Sequence, residues 1–328
     1  MKKLILIPLL LALAAVMQAQ IDAEPADKQA NDATRELYRY LRDDVWGKRV
    51  LSGCQAEWNY NINDAQRIND ASGKYPKVNV FDFQHFDQSW INYRANTAKQ
   101  WHDAGGIVAF MWHIHMPTNA FAEQKTDWEG FYNSGDMACH ISPLRAATEG
   151  TLENRIFRRK LDGVAELLLL YQRQGIPIIW RPLHEGSGRW FWWGSDGAEA
   201  YKQLYRYMFN HFQMRGIHNL LWVWTSEIDD DDWYPGDEYV DIIARDGYPK
   251  NNTTHLSQAA DFRKLRRAHP NKMTALPECN SVPSWENMQR DESLWLIVAP
   301  WCGGTAFDNG NTADFWQQFL NEEGVVSR

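Results

Sequence analysis

The chain has 328 residues, with 34 Lys and Arg against 42 Asp and Glu, a net charge of −8. An acidic chain does not readily neutralise phosphates, which argues against nucleic acid as a partner and against adhesion to anionic membrane surfaces. At 44% hydrophobic and 23% charged residues it is globular, and its 17 Trp, beside 13 Tyr and 14 Phe, exceed what a core of Leu, Ile and Val requires; flat rings suit the flat apolar face of a ligand.

Residues 1–19, MKKLILIPLLLALAAVMQA, set Lys2 and Lys3 before an apolar run from Leu4 to Val16, with small Ala19 as a cleavage point before Gln20. That is the layout of a secretory signal peptide. The run is too short to span a bilayer comfortably, and no Cys follows it to carry a lipid anchor. The expectation is an exported protein, periplasmic or secreted, monomeric and without membrane insertion. Residues 20–34 are polar and expected to be loose. Residues 35–328 carry no linker, repeat or low-complexity tract and are read as one domain. The spacing of Cys54, Cys139, Cys279 and Cys302 fits no zinc signature. Export would permit disulfides, but a chain of this size does not need them.

Eight short apolar runs then recur: Val50–Glu57, Lys77–Gln84, Gly106–His115, Pro177–Glu185, Asn219–Glu227, Val240–Tyr248, Met273–Glu278 and Leu294–Gly303. Between them, Glu153–Gln174, Ala198–Arg215 and Ser257–Ala268 carry apolar residues at helical spacing. Near-continuous apolar strands alternating with helices imply a parallel sheet covered by helices, and eight such units imply an α/β fold, a single-domain (β/α)8 TIM barrel. The competing doubly wound sheet lacks its Gly-rich phosphate loop after the first strand.

Active sites of such barrels lie at the C-terminal ends of the strands. There the sequence places Glu57, Asp82, His85, His113, His115, His184, Glu185, Glu227, Asp246, Tyr248, Glu278 and Trp301. Carboxylates, imidazoles and rings in one place suit acid/base chemistry on a neutral polar substrate. Glu185 and Glu278, on strands 4 and 7, face each other across the mouth and match the paired carboxyls of retaining glycoside hydrolysis, although Glu57 and Glu227 also end strands. Glu185 precedes the run Trp190, Phe191, Trp192, Trp193, and apolar walls should raise its pKa as a general acid requires. A rival is metal-dependent hydrolysis, since His113-Ile-His115 would set two imidazoles on one strand face, but no thiolate cluster supports it and His184-Glu185 lacks the second His of a zincin motif. No metal or other cofactor is expected. The run Asp229–Asp232 is a solvated loop or a calcium loop, and Asn251-Asn-Thr-Thr holds overlapping glycosylation sequons. No Gly-x-Ser-x-Gly supports serine hydrolysis.

The segment WRPLHEGSGRWFWWG (180–194) closely resembles the acid/base motif of glycoside hydrolase family 26, the β-mannanase family, and YPGDEYVDIIARDGYP (234–249) is similar to its strand 6 region. The resemblance runs from about residue 35 to the end of the chain. It implies a retaining clan A enzyme acting on β-1,4-linked mannan, galactomannan or glucomannan, with β-mannan or manno-oligosaccharides as its partner. Carried over, Glu185 would be the acid/base and Glu278, in LPECN, the nucleophile. His184 would contact the sugar 2-OH or the nucleophile, and Tyr248 would hydrogen-bond the nucleophile. Trp190 would stand on the leaving-group side, Trp301 would floor the −1 subsite, and His113 would lie near it. Some members carry Arg directly after the strand 8 Trp, gripping the −2 sugar; here that residue is Cys302. Relatives also cut β-1,3-xylan or mixed-linkage β-glucan, and a non-catalytic glycan-binding barrel would have lost an acid that this chain keeps. Of the tryptophans, Trp190, Trp192, Trp193 and Trp301 are expected at the mouth. Trp180, Trp222 and Trp224 are expected in packing, while Trp58, Trp90, Trp112, Trp233 and Trp285 at other strand ends have no assigned role.

Overall fold

The computed structural model describes residues 20–56, 61–84, 91–118, 129–135, 138–250 and 253–328. The leader 1–19, Glu57, Trp58, His85, Trp90 and the asparagines of the sequon lie outside the described residues.

All eight apolar runs become strands: β1 Val50–Gln55, β2 Val78–Asp82, β3 Ile107–Trp112, β4 Ile178–Pro182, β5 Leu220–Ser226, β6 Ile242–Gly247, β7 Met273–Cys279 and β8 Ile297–Pro300. Each pairs in parallel with the next, and β8 closes on β1 through Leu51↔Ile297 and Ser52↔Val298, so the sheet is a barrel. The three expected helices appear as α5 Leu152–Arg173, α6 Ala198–Met214 and α7 Ala259–Ala268, after α1 Asp32–Arg39, α2 Asn63–Ser72, α3 Ile91–Asp103 and α4 Pro143–Ala146. Thr151 caps α5 by accepting from the backbone N–H of Asn154 at 3.0 Å, one of the helix-start donors that lack an intrahelical partner. None of the described helices is long and apolar enough to cross a membrane.

Successive strand side chains alternate, so each strand feeds two layers. One layer fills the barrel interior and includes Leu51, Val80, Ala109, Ile179, Val223, Ala244, Ala275 and Ile297. The other packs outward against the helices and takes the large rings, among them Phe110, Trp180, Trp222 and Trp224. Much of the tryptophan surplus therefore fills the space between strands and helices. Trp180, Trp222 and Trp224 are fully buried, as expected of packing residues.

Residues 20–34 were expected to be loose, but they are fastened to the N-terminal end of the barrel. The backbone N–H of Ala26 donates to Asp241 at 2.7 Å, Lys272 reaches Asp22 at 2.6 Å, and His218 meets Asp27 at 2.9 Å. Ile21, Ala26 and Ala30 are buried beneath them. The polar composition of the segment thus serves specific long-range partners, which local pattern does not reveal.

Candidate active site

Parity along β4 builds the floor of the mouth. Ile179 and Arg181 share the inward face, so the last inward residue of an apolar strand is a buried cation. Two carboxylates meet it: Nη1 donates to Oδ2 of Asp246 and Nη2 to Oε2 of Glu278, each at 2.6 Å. Asp246 and Glu278 are register partners across β6 and β7, just past an irregularity between Ala244 and Asp246. Two further donors converge on Glu278, the Tyr248 hydroxyl on Oε1 at 2.7 Å and Gln55 Nε2 on Oε2 at 3.3 Å. Both oxygens of this 4% exposed carboxyl are acceptors, so its position is fixed from β1, β4 and the end of β6. Deleting one member of a buried ion network leaves an uncompensated charge and costs about 3–5 kcal/mol.

Glu185 sits where the chain leaves β4. Leu183, Glu185 and Arg189 all have left-handed backbone, at φ 50°, 56° and 60°. Such residues are strained, and clusters of them mark sites held in place by their surroundings. The turn is packed too closely for side chains: a Cβ on Gly186 would lie 2.2 Å from the Tyr201 ring, and one on Gly194 would lie 2.0 Å from the carbonyl oxygen of Gly186. The resulting geometry aims Glu185 into the mouth, where the indole N–H of Trp190 donates to its Oε2 at 2.8 Å. Burial, then the charges of Glu278 and Glu227, push its pKa up to about 8, against the opposing pull of Trp190 and Arg181. One oxygen each from Glu185, Asp246 and Glu278 lies within 4.8 Å of the others. Burial pushes the Asp246 carboxyl up as well, against the pull of Arg181; among the three, Glu185 alone lacks a cation in direct contact.

His184, 1% exposed, is held in the neutral form by burial and by the nearby charge of Arg181 and presence of His113. Its ring meets His113 edge-on, with centroids 4.6 Å apart. His113 is fixed by Asp82, which accepts from its backbone N–H at 3.0 Å and meets Nδ1 at 2.6 Å. Trp301 presents its ring to His113 at 5.9 Å, and Phe191 packs against both histidines. His113, His184, Trp190, Tyr248 and Trp301 therefore gather around Glu185 and Glu278. His113 and His115 do not form a strand-borne pair, because β3 ends at Trp112; both rings pack on Phe131 at 4.9 Å. Cys302 is buried beside Trp301, and Asp64 accepts from the backbone N–H of the next residue, Gly303, at 2.6 Å. All four cysteines are buried and unbridged.

Two tryptophans expected at the mouth are not there. Trp192 and Trp193 are fully buried, and their indole N–H groups donate to the carbonyls of Ile114 and His184, each at 2.8 Å. They support the site from below. The exposed rings are instead Tyr248, 45% exposed, with Trp190, 40%, and Tyr132, 42%, the last two of which pack on Phe191. Trp112 and Trp233 are also buried.

A cavity of about 500 Å³ opens beside Glu185 and Trp190, bounded by Glu227, Tyr248, Leu256 and Gln258 among others. Glu227 is paired with Arg245 at 2.9 Å, yet burial pushes its pKa up to about 7. Arg181 and Tyr132 escaped the sequence reading. An Arg inside an apolar strand, at its C-terminal end, was the available signal for the first, since such a charge must find buried partners.

The arrangement sets a carboxyl that burial biases toward its protonated form beside a donor-ringed one from another strand, the two groups that acid-assisted substitution at one carbon requires. The family profile described as glycosyl hydrolase family 26 matches residues 26–317. A mannan endo-1,4-beta-mannosidase of Thermothelomyces thermophilus is 32% identical over 304 residues, covering 88% of this chain and 59% of that protein. The chain thus spans about three-fifths of that relative's length, and 51% of a Piromyces mannan endo-1,4-beta-mannosidase A. The solved GH26 domain of a Prevotella bryantii endo-beta-mannanase/endo-beta-glucanase superposes with a TM-score of 0.84 at 36% identity, over 93% of this chain and 98% of that one. A beta-mannanase from a symbiotic protist of the termite Reticulitermes speratus, solved with a gluco-manno-oligosaccharide, gives 0.84 at 28% identity over 94% and 97%. On its sequence, its barrel and the match along most of its length, this chain belongs to glycosyl hydrolase family 26.

Proposed function

We propose that the protein is a retaining β-mannanase, hydrolysing β-1,4-mannosidic bonds in mannan, galactomannan or glucomannan. The observation that carries the reading is the pair Glu185 and Glu278, with carboxyl oxygens within 4.8 Å on opposite strands. In the first step an oxygen of Glu278 attacks the anomeric carbon while protonated Glu185 gives its proton to the departing glycosidic oxygen. A covalent mannosyl-enzyme forms and the leaving chain departs neutral. In the second, Glu185 takes a proton from water, the water oxygen attacks the same carbon, and Glu278 is released; two inversions retain the configuration.

Arg181 and Tyr248 hold Glu278 in line for attack. Neutral His184 lies beside the pair, where it can hydrogen-bond a sugar hydroxyl without competing for the proton. Trp190 and Tyr132 offer ring faces along the leaving-group side and Trp301 a floor at the −1 sugar, so the chain is gripped through C–H surfaces without charge. The substrate is named by the curated relatives, and the site supports it by being polar and ring-lined around the two carboxyls. Export is proposed on Lys2, Lys3 and the apolar run Leu4–Val16.

Product profiling on β-mannan, β-1,3-xylan and lichenan tests the assignment, together with Glu185→Ala and Glu278→Ala. Mannan products are expected from the parent and none from Glu278→Ala. Glu185→Ala is expected to lose turnover of mannan but keep much of its kcat/KM on a dinitrophenyl β-mannobioside, whose leaving group needs no proton, while its kcat on that substrate falls because the second step still needs Glu185 as base. Near-normal mannan turnover by either variant would refute the roles of Glu185 and Glu278 as acid/base and nucleophile.

A further inference from the structure

The acidic run Asp229–Asp232 does not behave as a single solvated loop. Asp229 pairs outward with Lys264 at 2.6 Å, and Asp231 lies 3.5 Å from His269. Asp230 turns inward and is 6% exposed. Two consecutive non-glycine residues with left-handed backbone, Ile228 at φ 68° and Asp229 at φ 58°, fold the chain back beneath the end of β5 to put it there. Such residues cost about 1–3 kcal/mol each, so specific bonds must offset them. Asp230 supplies these bonds: Oδ1 accepts from the Ser226 hydroxyl at 2.5 Å, and Oδ2 accepts from the backbone N–H of Glu227 at 2.9 Å.

Its third bond leaves the loop. The hydroxyl of Ser187 donates to Oδ2 at 2.5 Å. Ser187 lies two residues after Glu185, in the single 3-10 turn Gly186–Gly188 that follows it. The same junction is reinforced by Arg189, whose guanidinium stacks over Trp233 at 5.4 Å, while the backbone N–H of Trp233 donates to the Asp230 carbonyl at 2.8 Å. Tyr201, which packs against Gly186, also meets the Trp233 ring at 5.5 Å. The strained turn carrying Glu185 is thus anchored to the loop after β5 through one buried carboxylate.

We infer that Asp230 is a positioning residue for the proton donor, acting through Ser187 to hold Glu185 over the leaving oxygen. This rests on the proposed role of Glu185. A charge-assisted hydroxyl–carboxylate bond is strong and directional enough to set the turn, and small displacements of an acid are costly to proton transfer.

Ser187→Ala and Asp230→Asn test it, with kcat/KM measured on β-mannan and on dinitrophenyl β-mannobioside, so that the first step alone is compared, and with melting temperature followed in parallel. Ser187→Ala leaves the Ser226 and Glu227 bonds of Asp230 intact, so it probes the tether without dismantling the loop. The expected result is a fall in kcat/KM on mannan of about tenfold in Ser187→Ala, within the ~10²–10⁴-fold that a general acid contributes. The aryl substrate should change little and the melting temperature should be close to the parent. Asp230→Asn should fall further on mannan and also lose stability. Unchanged mannan turnover in Ser187→Ala, or an equal loss on both substrates, overturns the inference. Glu185→Ala is the control. If it shows the leaving-group dependence and Ser187→Ala does not, this inference alone fails; if Glu185→Ala shows none, the role of Glu185 fails and the inference falls with it.

Discussion

The indole N–H of Trp190 donates to Oε2 of Glu185 at 2.8 Å, and it is a pull toward the charged form of a carboxyl that burial otherwise keeps protonated. An acid with its pKa pushed up to about 8 is active below that value and lost as pH rises through it. Trp190→Phe keeps a ring and removes the N–H, so the proton should be held more tightly. The alkaline limb of kcat/KM against pH on a manno-oligosaccharide is expected to move to higher pH. A limb that stays in place, or moves down, would count against the assignment of that limb to Glu185.

Glu227 should act in the opposite sense. Its pKa is pushed up to about 7, so it is charged in the range where Glu185 titrates, and its charge disfavours ionisation of Glu185. Glu227→Gln removes that repulsion, and the alkaline limb is expected to move to lower pH. The two variants together give shifts of opposite sign around one group, which the same pH profiles on the same substrate will show or fail to show.

The barrel was legible because its strands are buried on both faces, which makes them continuous apolar runs; each run contains its strand, save that β7 goes one residue further to Cys279, and the ends carry the polar residues. Glu185 and Glu278 were legible as strand-end carboxylates within a recognisable motif. Trp192 and Trp193 were misplaced because WFWW carries no period; after a turn with left-handed backbone the chain exposes Trp190 and buries the three rings that follow it, which spacing does not encode. Asp230 was hidden in a charge run whose neighbours do face solvent, and its partner Ser187 is 43 residues away. The fastening of residues 20–34 likewise depends on Asp241 and Lys272, far along the chain.

Arg181 bridges Asp246 and Glu278 with two bonds of 2.6 Å from a planar fork. Lysine has one ammonium and cannot reproduce that fork. Arg181→Lys is expected to abolish most turnover on both mannan and aryl substrates, because it disturbs the nucleophile and not the proton donor. It should also lower stability by about 3 kcal/mol, the low end for a broken buried ion network. Denaturant midpoints together with the two-substrate comparison check both parts.

Tyr132 lies at the outer end of a stack that runs through Phe191 to His113 and His184. Its backbone is bridged to Phe191, and the next residue, Asn133, donates its N–H to the carbonyl of Trp190 at 2.6 Å. Two exposed rings on joined segments suit two successive sugars. Tyr132→Ala is expected to raise KM for long manno-oligosaccharides, leave the shortest cleaved one almost unaffected, and shift the product pattern. Chromatography of products from a length series checks this; an equal effect at every length would assign Tyr132 to packing alone.

Glu185 also makes the fold sensitive to pH. Its carboxyl has an ordinary value of 4.5 in the unfolded chain and about 8 in the folded one, so the native state binds the proton more tightly. Stability from this group is fully present below 4.5 and is lost progressively as pH rises toward 8, where the folded protein must hold a buried charge near Glu278. Glu185→Gln keeps the shape and the bond from Trp190 but has no proton to lose. At pH 4 the variant and the parent should melt at similar temperatures. At pH 9 the variant should be the more stable, by an amount on the order of 1–3 kcal/mol after discounting for coupling to the neighbouring carboxyls. Equal melting temperatures at both pH values would mean that Glu185 does not carry the raised pKa, and the acid role proposed for it would lose its electrostatic basis.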